Sequence, residues 1–171
     1  MQKNNLWLIF SICLLLSFSL ITIWSTFPSL FLTQLSFVLV GVLIVLFFTK
    51  IDTSLLLNFS WFWYVLSLFL LIITFFVGRN IRGSVRWIDF GFFNLQTSEI
   101  VKPFLAIFYA SYLSRNSLKK YSDFLRFLFL TIVPVLLVAK QPDLGSALTL
   151  FFLPIFLLIV AGHFKRLLFL G

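Results

Sequence analysis

Six long apolar runs, each ended by a short polar cluster, set the pattern of this chain. A helix needs roughly 20 apolar residues to cross about 30 Å of hydrocarbon. The runs at 6–27, 30–49, 59–77, 97–113, 124–139 and 144–162 approach that length. The predicted fold class is all-α, a polytopic transmembrane helix bundle of about six spans forming one membrane domain over 1–171. Pro28 and Ser29 leave so short a turn that the first two spans must run antiparallel. The first run follows Lys3 but lacks a small-residue cleavage site, so it reads as a retained span and not a signal peptide. Lys50, Asp52 and Asn58 bracket a polar connection, after which Trp61, Trp63 and Tyr64 open the third span with rings suited to the headgroup level. The fifth run covers only about 24 Å at 1.5 Å per residue, so it must borrow flanking residues or sit inside the bundle. Pro134 within it removes one helical hydrogen bond, which predicts a kink unless neighbours restore the pairing. Pro154 interrupts the sixth run in the same way.

Composition strengthens the membrane reading. The chain is 61% hydrophobic and 11% charged, with 25 phenylalanines, whereas soluble domains run about 25% charged. Thirteen Lys and Arg against five Asp and Glu give +8, but no soluble domain gathers these charges to hold a nucleic acid. Membrane lipids of anionic character are the better partner for the excess. The single cysteine, Cys13, and the single histidine, His163, cannot form a disulfide or a Cys/His metal site within one copy. Cys13 reads as buried apolar filler.

Counted on alternate sides, Lys3, Lys50, Arg115, Lys119, Lys120, Arg126, Lys165 and Arg166 oppose Arg79, Arg82, Arg86, Lys102 and Lys140. The positive-inside rule then puts the N-terminus in the cytoplasm. It leaves the polar stretch at 78–96 as an outer loop, with three arginines held there against the rule's grain.

That stretch and its neighbours hold most of the candidate chemistry. Arg79, Arg82 and Arg86 are spaced three and four apart, which on a helix would give one face, although Gly78 and Gly83 argue against a continuous helix. Guanidinium groups match phosphate oxygens bidentately, so a pyrophosphate and lipid headgroups are both suitable ligands. Trp87 is an interfacial anchor or lines a groove for a sugar. Glu99 and Lys102, three residues apart at the start of the fourth span, can pair, and intramembrane ionisable groups are functional candidates by default. Pro103 frees the Glu99 carbonyl from its helical bond. Between the fifth and sixth spans, Pro142 ends one helix and Asp143 is suited to cap the next. Gln141, Lys140 and Asp143 share a side with Arg86 and Glu99, which allows one joined polar site.

The segments G-S-V-R-W-I-D-F-G-F-F-N-L-Q-T-S-E-I-V-K and K-Q-P-D-L-G-S-A-L resemble the SEDS family of bacterial membrane proteins, which includes RodA, FtsW and SpoVE. R-W-I-D-F-G and the short first loop are more similar to RodA. The resemblance implies a peptidoglycan glycosyltransferase of the bacterial cytoplasmic (inner) membrane that polymerises lipid II and expels undecaprenyl diphosphate during elongation or division. It implies a class B penicillin-binding protein as partner, no evident cofactor, and a divalent cation only as an assistant to the diphosphate. Arg86 and Trp87 would belong to the outer groove, Glu99 and Lys102 to the intramembrane polar site, and Asp143 to a supporting network, with Gln96 and Gln141 as further substrate or groove candidates. Thr97 stands where the family pattern Q-P-S-E has proline. The family has about ten spans, and its catalytic aspartate sits in a later outer loop that lies beyond Gly171. The chain is therefore expected to be the N-terminal part of such a protein, inactive as a polymerase alone. Two other readings stay open: a flippase of a lipid-linked cell-wall precursor, and a non-catalytic scaffold.

Overall fold

The computed structural model describes residues 3–81, 84–89, 94–116, 118 and 120–162. The helices are α1 (Lys3–Thr26), α2 (Phe31–Phe48), α3 (Thr53–Asn58), α4 (Ser60–Val77), α5 (Thr97–Arg115), α6 (Tyr121–Ala139) and α7 (Leu144–Val160). Three short strands, β1 (Arg79–Ile81), β2 (Ser84–Asp89) and β3 (Asn94–Gln96), lie between α4 and α5. The chain divides into two compact units, Met1–Asp52 and Thr53–Gly171.

In the first unit, a single 3-10 turn at Pro28–Leu30 joins α1 to α2. Proline suits the first position of such a turn because the N–H it lacks would have no helical partner there. The Gln34 amide Nε2 donates to Ser19 Oγ at 3.3 Å, linking the two helices. None of the described residues in α2 is buried, and Cys13 is exposed where burial was expected. An apolar helix can present its whole surface to lipid, so hydrophobicity alone does not bury a cysteine in a membrane protein.

The second unit has a built core. Leu71 of α4, Val101, Leu105, Phe108 and Tyr109 of α5, Val138 of α6 and Leu150 of α7 are all buried. Rings fill its middle: Phe108 lies 4.4 Å from Tyr64 and 5.0 Å from Trp61, centroid to centroid. Tyr64, near the start of α4, is buried in this core.

Among the described residues, four helical stretches are long and apolar enough to cross a membrane: Leu6–Thr26, Pro28–Phe48, Ser60–Val77 and Tyr121–Ala139. The short fifth run gains Tyr121, Ser122 and Asp123 and so reaches 19 residues as α6. The sixth run is a shorter apolar helix, Leu144–Val160. It ends through Gly162, whose φ of +73° is the left-handed conformation that glycine adopts without strain at a helix terminus. α5 is as long as α6 but carries Glu99, Lys102 and Arg115.

The stretch after α4 is a three-stranded antiparallel sheet in the order β1-β2-β3. This adds a small β element to the helical fold and replaces the helical face considered for the arginines. Val85, Trp87 and Ile88 favour extended backbone.

Candidate functional site

The first polar group forms where α5 and α7 begin. Asp143 is the N-cap of α7, and its Oδ1 accepts from the Ser146 backbone N–H at 3.3 Å. Its Oδ2 accepts from Gln96 Nε2 at 3.1 Å and from Ser98 Oγ at 3.2 Å. The carboxylate is only 4% exposed, so these donors replace much of the hydration it has lost. Capping and a joined polar site are thus one arrangement: the residue that starts α7 also ties it to the start of α5.

Gln141 sits beside this group in the α6–α7 connection and is 1% exposed. Its Nε2 donates to the Leu71 carbonyl of α4 at 2.8 Å, whereas its side-chain oxygen has no hydrogen-bond partner among the described residues. Thr97, where the family pattern has proline, is fully buried, and its hydroxyl is hydrogen-bonded to that of Thr74 at 2.8 Å. Proline could not make that bond, so the departure supplies a link between α4 and α5.

Glu99 and Lys102 form the expected ion pair, with Lys102 Nζ 2.7 Å from Glu99 Oε1. The Lys102 side chain is 24% exposed and that of Glu99 55%. A pair this open contributes at most about 1 kcal/mol to stability. Stability therefore gives little account of these two charges.

The sheet carries Trp87 and Gln96 into one row. Trp87 of β2 pairs with Gln96 of β3 on one side and with Arg79 of β1 on the other. Trp87 is half-buried, and the row leads through Gln96 to Asp143. The backbones of Arg79 and Arg86 lie in β1 and β2, while their side chains, and the whole of Arg82 and His163, lie outside the described residues. Lys140 is the C-cap of α6 and is exposed.

Some of the joining residues are not picked out by sequence chemistry. Pro134 frees the Leu130 carbonyl, and two hydroxyls meet it, Tyr64 Oη at 3.1 Å and Tyr109 Oη at 3.3 Å. The pairing lost to proline is restored from α4 and α5, as membrane helices require. Ser98 belongs to the family pattern, but its partner does not follow from that pattern. Its signal was the helix start, since a polar residue in the first turn can reach a neighbouring cap, but which cap is a tertiary matter.

A family model described as "Cell cycle protein", covering FtsW, RodA and SpoVE, matches residues 3–170. The chain belongs to the FtsW/RodA/SpoVE family. A relative from Wigglesworthia glossinidia brevipalpis, named a probable peptidoglycan glycosyltransferase FtsW, is 38% identical over 101 residues, 57% of this chain and 26% of that protein. A solved structure described as "Structural coordination of polymerization and crosslinking by a peptidoglycan synthase complex" matches with a TM-score of 0.88 at 25% identity, covering 100% of this chain and 52% of that one. The rod shape determining protein RodA of Thermus thermophilus matches with a TM-score of 0.84 at 27% identity, over 91% of this chain and 52% of its own. The chain thus spans about half the length of the two solved chains it matches and is similar to proteins named FtsW and RodA. Family and apolar helices together make it a multi-pass membrane protein.

Proposed function

We propose that these residues are the N-terminal part of a peptidoglycan glycosyltransferase that polymerises lipid II during cell-wall elongation or division. The observation that carries this reading is the buried Asp143 carboxylate gathering Gln96 and Ser98 beside the sheet, one turn from the Glu99–Lys102 pair. It occurs in a chain whose relatives are named for that activity. Joining a sugar hydroxyl to a lipid-linked donor expels a diphosphate, and cations placed where its charge develops lower the barrier. Lys102, held in place by Glu99, supplies one such cation, and Arg79, Arg82 and Arg86 are on the segment that could supply more. Trp87 gives a face on which a sugar ring can stack. Asp143 positions Gln96 and Ser98.

The reading puts the sheet outside the bacterial inner membrane and the N-terminus in the cytoplasm, following the excess of basic residues on the other side. The substrate would be lipid II, the leaving group undecaprenyl diphosphate and the partner a class B penicillin-binding protein that crosslinks the strand. A divalent cation would enter with the diphosphate, whose oxygens are hard ligands. Among the described residues, no three His, Cys, Asp or Glu side chains are grouped to hold a metal.

The test is lipid II polymerisation by the complete protein in proteoliposomes. Glu99→Gln and Lys102→Met are expected to reduce glycan synthesis more than tenfold, on the order of 1.4 kcal/mol or more of transition-state stabilisation, with the protein still folded. Unchanged synthesis in both variants would sink the proposal. Movement of labelled lipid across the bilayer without polymer would favour the flippase instead.

A further inference from the structure

At the end of the second unit opposite the sheet, a cleft of about 620 Å³ opens between the start of α4, the end of α5 and the first turns of α6. It plays no part in the chemistry proposed above. Two arginines stand in its lining, Arg115 from α5 and Arg126 from α6, together with Trp61, Tyr112, Leu125 and Phe129.

The two guanidinium groups are in different states. Arg115 is already oriented: its Nη2 donates to the Leu57 carbonyl at 3.1 Å and to Asn58 Oδ1 at 2.8 Å. Both bonds leave from one nitrogen, so the three N–H groups on Nη1 and Nε remain for another acceptor. Arg126 has no hydrogen bond or ion pair among the described residues. Two carbonyls of lining residues are engaged elsewhere: that of Tyr112 accepts from Asn116, and that of Leu130 accepts from Tyr64 and Tyr109. Asp123, three residues before Arg126 on α6, acts electrostatically on Tyr112 of the lining as Arg126 does, but is not itself part of the lining. Among the described residues the lining thus holds two cations and no carboxylate.

The rim identifies which kind of anion fits. Trp61 is 54% exposed and Phe129 68% exposed, and both belong to helices long and apolar enough to span a membrane. A free phosphate would gain nothing from those rings. A phosphate carried on a glycerol with acyl chains would gain from both, because tryptophan prefers the headgroup level and arginine binds phosphate oxygens bidentately.

We infer that this cleft is a binding site for an anionic phospholipid, with its phosphate between Arg115 and Arg126 and the first acyl carbons against Trp61 and Phe129. The lipid would act as a wedge between α4, α5 and α6 at the end of the bundle remote from the sheet.

The experiment is native mass spectrometry of the complete protein released from detergent containing either phosphatidylglycerol or phosphatidylcholine, with inorganic phosphate as a third probe. The wild type is expected to retain one phosphatidylglycerol in preference to phosphatidylcholine. Arg126→Gln should weaken that retention about tenfold, the effect of losing roughly one charge-assisted contact, and Arg126→Lys should keep most of it. Arg126 is the variant of choice because Arg115 also holds Leu57 and Asn58 in place. A second readout is quenching of tryptophan fluorescence by brominated phosphatidylglycerol, of which the Trp61→Phe variant should lose a component. Equal retention of the two lipids, or retention unaffected by Arg126→Gln, would overturn the site. Displacement of the lipid by millimolar inorganic phosphate would make it a free-phosphate site and overturn the lipid assignment. Retention of a protein or peptide in the cleft in place of lipid would do the same.

Discussion

The α1–α2 hairpin and the α4–α7 bundle are both rich in hydrocarbon, yet only the second buries it. No described residue of α2 is buried, whereas α4 buries Ser60, Tyr64, Ser67, Leu71 and Thr74, and α6 buries Phe127, Thr131, Pro134 and Val138. What distinguishes the bundle is that its polar side chains are buried, whereas the serines and threonines of the hairpin are not. Ser67, Thr74, Thr97, Ser98, Ser111, Thr131, Gln141, Asp143 and Ser146 are all buried there. Among the described residues, the polar link between the two helices of the hairpin runs from Gln34 to Ser19. In a membrane, leucine gains little by leaving lipid for protein, so helices associate through close packing and hydrogen bonds. The comparison shows that principle within one chain.

The largest effect should come from the most heavily bonded of these groups. Asp143→Ala in the complete protein removes a cap and the acceptor for Gln96 and Ser98, and is expected to cost about 3 kcal/mol. Asp143→Asn should cost less because it can still cap. Unfolding in graded denaturing detergent measures both, and equal stability of Asp143→Ala and wild type would mean that the cluster does not hold the bundle together.

A second, sharper test uses the shared carbonyl of Leu130. Either Tyr64→Phe or Tyr109→Phe leaves it one hydroxyl donor, so each alone should cost less than about 1 kcal/mol. Together they leave it unpaired in a partly buried place, and about 2 kcal/mol is expected. The test is this non-additivity: a strictly additive double mutant would show that the two hydroxyls do not share a partner. Adding Pro134→Ala restores an N–H for Leu130 and should recover part of the loss.

The smallest effect belongs to the hairpin. Gln34→Leu should cost about 0.6 kcal/mol, the average measured for hydrogen bonds between membrane helices. A loss as large as that of Asp143→Ala would erase the contrast between the two regions.

Much of this architecture was legible residue by residue. Hydropathy is local, so the apolar runs mark where helices lie, and Pro28, Pro142 and Gly162 mark where they turn or stop. The cap at Asp143 was equally readable, since a capping side chain bonds to backbone three residues away. The Glu99–Lys102 pair has the same short reach. The sheet was less legible, because the arginine spacing mimics a helical face while the glycines around it only interrupt a helix and Val85, Trp87 and Ile88 favour extended chain.

The sequence by itself therefore determined a membrane-embedded helical protein with its candidate chemistry concentrated around 78–102 and 140–143. Tertiary structure decided which of those residues meet. Gln96 and Asp143 are 47 residues apart, Ser98 and Asp143 are 45 apart, and Gln141 reaches a carbonyl 70 residues away. Tertiary structure also decided that Tyr64 lies in the core while Cys13 lies at the surface. The physical reason is that periodicity reports a residue's preference for lipid or water. Hydrogen-bond partners and burial against protein depend on how helices distant in sequence pack together, and no local pattern encodes that.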